Sequence, residues 1–171
     1  MKFLIISSIF LFSGHISAQK VVPKISSLYT NLDSDCRTIE GHSGTDDASN
    51  CRGIGGYRIH IWYSAVTQMI AAEIPGTKEM INLATLGLDF DQRKVKVEWR
   101  MAGGKPFAVI LRVAKYGEPD QDNPYTGPRI GEELIIIGLK GFEKIDFKVD
   151  AKTPKANARA RELADNAFLN K

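Results

Sequence analysis

Lys94-Val95-Lys96-Val97-Glu98-Trp99-Arg100-Met101, followed by Ala102-Gly103-Gly104-Lys105-Pro106 and then Phe107-Ala108-Val109-Ile110-Leu111-Arg112-Val113, reads as a β-hairpin at the centre of an antiparallel sheet. Val95, Val97, Trp99 and Met101 alternate with Lys96, Glu98 and Arg100, the period-2 signature of a half-buried strand. With residues 102–106 as the loop, Met101 falls opposite Phe107, Trp99 opposite Val109, Val97 opposite Leu111 and Val95 opposite Val113. That register gathers these eight apolar side chains on one face, and a slip of one residue would scatter them. The other face then holds Glu98, Arg100, Ala108, Ile110 and Arg112, with Glu98 and Arg112 one step off direct opposition and within reach of each other. Because this second face is mixed, part of it needs a cover.

C-terminal to the hairpin, residues 117–128 carry three prolines, which exclude a ladder strand. Asp120, Asp122 and Asn123 have the look of a calcium loop, but counting from Asp120 the sixth and twelfth positions are Tyr125 and Gly131, where an EF-hand needs Gly and Glu. Glu133 to Leu139 is a continuous apolar run, as expected of a strand buried on both faces, and Ile145, Phe147 and Val149 alternate with polar residues in a last strand after a turn at Gly141. Thr153-Pro154 has the N-cap and first-position residues of a helix, and Ala160, Leu163, Ala164, Ala167 and Phe168 then recur at helical spacing. This helix is predicted to lay its alanine-rich stripe on the sheet.

N-terminal to the hairpin, residues 1–18 have the charged start, short apolar core and small-residue end of a secretory signal peptide, and residues 19–171 are read as a single β-rich domain. No later segment has the roughly 20 apolar residues of a membrane span. In an exported chain two cysteines, and only two, are most simply one disulfide, Cys36 to Cys51. A Cys-plus-His42 metal site would lack its third and fourth ligands. Ile25 to Thr30 reads as a short strand or an irregular lead-in. The glycines of Arg52-Gly53-Ile54-Gly55-Gly56-Tyr57 precede a strand instead of opening a helix, so they mark a tight turn and not a phosphate loop. The strand Tyr57 to Tyr63 puts Arg58, His60 and Trp62 on one face, and His60 beside Trp62 is a candidate ligand contact. Gln68 to Ile74 and Lys78 to Leu83 read as two more strands about a Pro75-Gly76-Thr77 turn. Asp89 and Asp91 are turn carboxylates without an identified partner.

The expected fold class is therefore α+β, mainly β: an antiparallel meander sheet or partly closed barrel with one C-terminal helix packed on it. Removing Lys2 with the signal segment takes the formal charge from +3 to +2. That balance argues against a nucleic-acid or anionic-membrane binder, and it offers no attraction to a strongly basic target such as a lysozyme.

Tyr29 and Leu32-Asp33 ahead of Cys36, the run Cys51-x-Gly53-x-Gly55-Gly56-Tyr57, Glu98-Trp99-Arg100, Lys105-Pro106-Phe107-Ala108-Val109-Ile110-Leu111-Arg112, and Val149-Asp150-Ala151 followed by Ala156-Asn157 and Ala164-Asp165 together resemble an uncharacterised family of small exported bacterial proteins. The resemblance covers most of residues 19–171 and implies export, but it carries no activity or catalytic residue. Some members of that family place a cysteine shortly before the Val-Asp-Ala; Glu143-Lys144-Ile145 has none.

An enzyme would need a nucleophile and base, a metal set, or a paired acid and base in one cleft. Beyond residue 18 the only histidines are His42 and His60, and no Ser or Lys sits in a recognisable catalytic motif. The expected function is a non-enzymatic exported binding or interaction protein, periplasmic or secreted, without cofactor or metal, whose partner is an envelope or extracellular protein. A structural or accessory envelope protein and an enzyme of unrecognised class are the alternatives. The candidate binding residues are Glu98, Arg100 and Arg112 on the second face of the hairpin, and His60 and Trp62. A buried Arg there that lacked a partner would point to capture of an anion.

Overall fold

The computed structural model describes residues 23–39, 48–64, 67–87, 95–122 and 127–171. The signal-like segment, His42, Asp89 and Asp91 lie outside them. In chain order the elements are β1 (Ile25–Asn31), β2 (Cys36–Ile39), β3 (Ala48–Arg52), β4 (Arg58–Tyr63), β5 (Gln68–Glu73), β6 (Met80–Leu86), β7 (Lys96–Ala102), β8 (Lys105–Tyr116), β9 (Arg129–Gly138), β10 (Asp146–Asp150) and α1 (Ala156–Leu169). The fold is mainly β with one C-terminal helix, as the residue pattern predicts. The strands do not form one meander or a barrel, however. They form two open antiparallel sheets, a first with order β1-β7-β8-β9-β10 and a second with order β2-β3-β4-β5-β6.

The reason lies in the central strands. Val97, Trp99, Val109, Leu111 and Ile135 point to one side of the first sheet and share a core with Ile59, Ile61 and Ile70 of the second. Ala108, Ile110, Leu134 and Ile136 point to the other side, where Ala156, Ala160 and Ala164 of α1 cover them. A sheet that is apolar on both faces needs two covers, and the chain supplies a sheet for one and a helix for the other. Alanines at the contact let the helix backbone approach the sheet closely.

The hairpin register holds at Val97 opposite Leu111 and Trp99 opposite Val109, then shifts between Arg100 and Met101, so that Met101 faces Pro106 and Ala102 faces Lys105. The turn is thereby shortened to Gly103-Gly104, both with positive φ (57° and 80°), the twist-compatible geometry that favours glycine at both positions of a two-residue hairpin loop. One consequence corrects the predicted face of Phe107. The irregularity leaves Met101 in the inter-sheet core but turns Phe107 toward the helix, where its ring meets Phe168 and Phe142 at centroid distances of 4.5 and 5.9 Å.

The two sheets are also joined by a polar thread. The fully buried Trp99 donates its indole N–H to Thr30 Oγ1 at 3.0 Å, and Thr30 donates in turn to the carbonyl of Arg52 at 3.0 Å. Gly53 is required beside this thread, because a Cβ there would lie 2.6 Å from the Tyr57 carbonyl oxygen and 2.9 Å from the Trp99 ring. The Cys36–Cys51 disulfide is present and links directly paired residues of β2 and β3.

The helix starts later than Thr153-Pro154 predicts. Those residues form a turn closed by the Ala156 N–H donating to the Thr153 carbonyl at 3.0 Å, and the N-cap is Lys155 at φ 58° with no side-chain cap. Just before it, Asp150 closes a turn of its own by accepting the Lys152 N–H at 2.9 Å.

Candidate binding surface

The five candidate residues separate into three places. Glu98 and Arg100, on β7, are buried beneath α1. Arg100 makes a forked contact with Asp165 of the helix, its Nη2 donating to Oδ2 at 2.6 Å and its Nε to Oδ1 at 3.0 Å, and it also donates to Ser27 Oγ. Glu98 receives Arg161 Nε at 2.6 Å and Nη2 at 3.0 Å, and Ser27 Oγ at 2.5 Å. Two guanidinium groups therefore face two carboxyl groups, in two crossed pairs that tie the sheet to the helix. Burial raises the pKa of the Glu98 carboxyl, but hydrogen bonds from Arg161 and Ser27 and the two nearby guanidinium charges outweigh it and hold the group below its ordinary range. With every charge matched, the cluster is a clamp for the helix and offers no unpaired Arg for a ligand. Arg161 and Asp165 were not legible as its partners, because nothing in the helix's own periodicity says which sheet residue each one meets.

Arg112 does not reach Glu98, which Arg161 occupies. It lies toward β9 and the start of α1, 3.3 Å from Glu132 and 3.3 Å from Asn157, with 41% of its side chain exposed. Exposed pairs of this kind are worth about 0–1 kcal/mol. Arg112→Met is accordingly expected to change the unfolding free energy in urea by less than about 1 kcal/mol; a loss of several would mean that Arg112 belongs to the buried clamp.

His60 and Trp62 project from the outer face of the second sheet, the side turned away from the core. Their rings stack at 5.5 Å with planes 12° apart. His60 Nε2 is 2.7 Å from Glu73 Oε2, and Arg58 donates to the same carboxylate at 2.9 Å. These hydrogen bonds, that of His60 foremost, hold the Glu73 carboxyl below its ordinary range. Trp62 lies directly opposite Met69 on β5. Met69 and Met80 are 42% and 43% exposed, and with Trp62 they line a cleft of about 400 Å³. Whereas α1 covers the outer face of the first sheet, nothing among the described residues packs over this one.

Toward the disulfide the same face becomes cationic. Arg52 stands directly opposite Arg58, and Arg37 directly opposite Asn50. All four line a second cleft of about 640 Å³, together with Ser34, Asp35 and Cys36. The sequence placed Arg58 on this face. Arg37, Asn50, Arg52, Met69 and Met80 were missed, since their neighbourhood depends on pairing between strands that the alternation within each strand does not specify.

Among the described residues, no group of three or more His, Cys, Asp and Glu side chains is placed to hold a metal ion, and no helix is long and apolar enough to cross a membrane. Fold and surface together define a two-sheet β protein with one helix-covered face and one open face divided into an apolar and a cationic half. No family model, curated protein or solved structure matches the chain.

Proposed function

We propose that this is a non-enzymatic, exported interaction protein that binds a partner protein through the open face of its second sheet. The observation that carries the reading is the pair of exposed methionines, Met69 and Met80, beside the half-buried Trp62 on a sheet face that no described residue covers. Trp, Met and Arg are the residue types enriched in protein interfaces, and Met adapts its shape to a partner at little cost. Export is supported by the disulfide, by the signal-like composition of residues 1–18, and by the motif resemblance to exported bacterial proteins. The partner is then an envelope or extracellular protein.

The test is capture from the envelope and medium of the producing cell on immobilised protein with its disulfide intact. Native chain and the Arg112→Met variant are expected to retain the same partner, and Trp62→Ala/Met69→Ser to retain about tenfold less, the scale of losing a central aromatic anchor. Retention indifferent to Trp62 and Met69, or retention of nothing by the native chain, would contradict the reading.

A further inference from the structure

We infer that the cleft lined by Arg37, Arg52 and Arg58 is a subsite for carboxylates, and that it receives an acidic segment of the partner protein beside the apolar contact at Trp62. This deepens the reading of the open face as the binding surface and rests on it.

Three observations support it. First, Arg52 and Arg58 are directly opposed on neighbouring strands, an arrangement of like charges that costs stability. The fold gives little back for it: Arg58 shares Glu73 with His60, and among the described residues neither Arg37 nor Arg52 has an acidic partner. The contrast with the clamp under the helix, where each guanidinium meets a carboxylate, is direct. Second, the one carboxylate in the cleft wall, Asp35, is engaged by the Asn31 N–H at 2.8 Å. With three guanidinium groups in the wall against that one carboxylate, the cleft keeps a positive excess, which complements an anion. Third, Arg58, His60 and Trp62 follow one another on the same face of β4, so the cationic and apolar halves lie about 14 Å apart at roughly 3.4 Å per residue. A short acidic and apolar stretch of polypeptide spans both. The guanidinium fork matches a carboxylate in two parallel hydrogen bonds, and two such groups in one cleft favour a run of acidic side chains over a single one.

The probe is a synthetic six-residue peptide of four glutamates and two leucines, compared with its glutamine counterpart, with a heparin fragment and with inorganic phosphate, all titrated into the native chain by calorimetry at low salt. The glutamate peptide is expected to bind at least about tenfold more tightly than the glutamine peptide, to weaken as salt is added, and to lose about tenfold in Arg37→Gln/Arg52→Gln. That variant is expected to unfold at the same temperature as the native chain or a higher one, because it removes the opposed charges. Equal binding of the glutamate and glutamine peptides would overturn the subsite. Heparin bound tightly while the glutamate peptide is ignored would reassign it to a polyanionic sugar, and phosphate bound as tightly as the glutamate peptide would reduce it to a general anion site; either overturns the proposal. A variant that is less stable but binds the peptide unchanged would make the arginines structural. Partner capture separates this proposal from the broader one. If capture is lost in Trp62→Ala/Met69→Ser but intact in Arg37→Gln/Arg52→Gln, the interaction surface stands and the acidic subsite falls. If both variants capture normally, both fall.

Discussion

Asp165→Ala is expected to destabilise the protein by about 3–5 kcal/mol, the cost of leaving one member of a buried ion pair without its partner. The Arg100 side chain is only 7% exposed, and Asp165 accepts three of its hydrogen bonds. Glu98 Oε1, 3.5 Å from Arg100 Nη1, cannot replace that carboxylate, since Arg161 already holds it in two hydrogen bonds, and the Ser27 hydroxyl donates to Glu98 as well. Replacing both partners, Arg100→Met with Asp165→Leu, is expected to recover most of the loss, because the desolvation cost of the pair disappears together with its attraction. Urea unfolding of the three variants measures this through the midpoint at constant slope. A loss below about 1 kcal/mol for Asp165→Ala would mean that the clamp is solvated and that apolar contacts alone hold the helix.

Removing the disulfide is expected to have the next largest effect. Cys36 and Cys51 are 15 residues apart, and for a loop of that length the unfolded chain gains entropy worth about 3 kcal/mol when the bridge is lost. For a chain of this size that corresponds to a thermal midpoint roughly 6–12 °C lower. The bridge also bears on binding. Cys36 precedes Arg37 and Cys51 precedes Arg52, while β2 is a four-residue strand at the edge of its sheet. Loosening that edge would separate the two arginines, so Cys36→Ala/Cys51→Ala is expected to bind the glutamate peptide more weakly than the native chain even well below its midpoint. A midpoint unmoved by the double replacement would show that pairing of β2 with β3 does not depend on the bridge.

What the residue pattern disclosed and what it concealed follow from the range of the interactions. The alternation from Val95 to Met101, the two-sided apolar run from Glu133 to Leu139 and the alanine stripe of the helix are local, and each was legible. Cys36 and Cys51 were legible because they are the only cysteines. The division into two sheets was not, since β1 pairs with β7 across the whole second sheet, and no local pattern specifies which strand a distant one will choose. The side taken by Phe107 depends on one irregularity beside a glycine turn. The helix start was misplaced because Thr153-Pro154 satisfies helix-start chemistry while actually closing a turn. Of the candidate site, His60 and Trp62 were found from the β4 alternation, but the opposition of Arg52 to Arg58 is a register fact that exists only once β3 and β4 are paired. Glu98 and Arg100 are charges on a face that must be covered, and the helix supplies their partners, Arg161 and Asp165, which the pattern of neither element names.

Whether partners bind on the open face of the second sheet can be read from amide hydrogen exchange of the native chain with and without its captured partner. Slowed exchange is expected to centre on β3, β4 and β5, across Ala48–Arg52, Arg58–Tyr63 and Gln68–Glu73, with α1 and β10 unchanged. Protection centred on β1 and the helix, with the second sheet unaffected, would place the binding surface on the opposite side of the molecule and overturn the proposal.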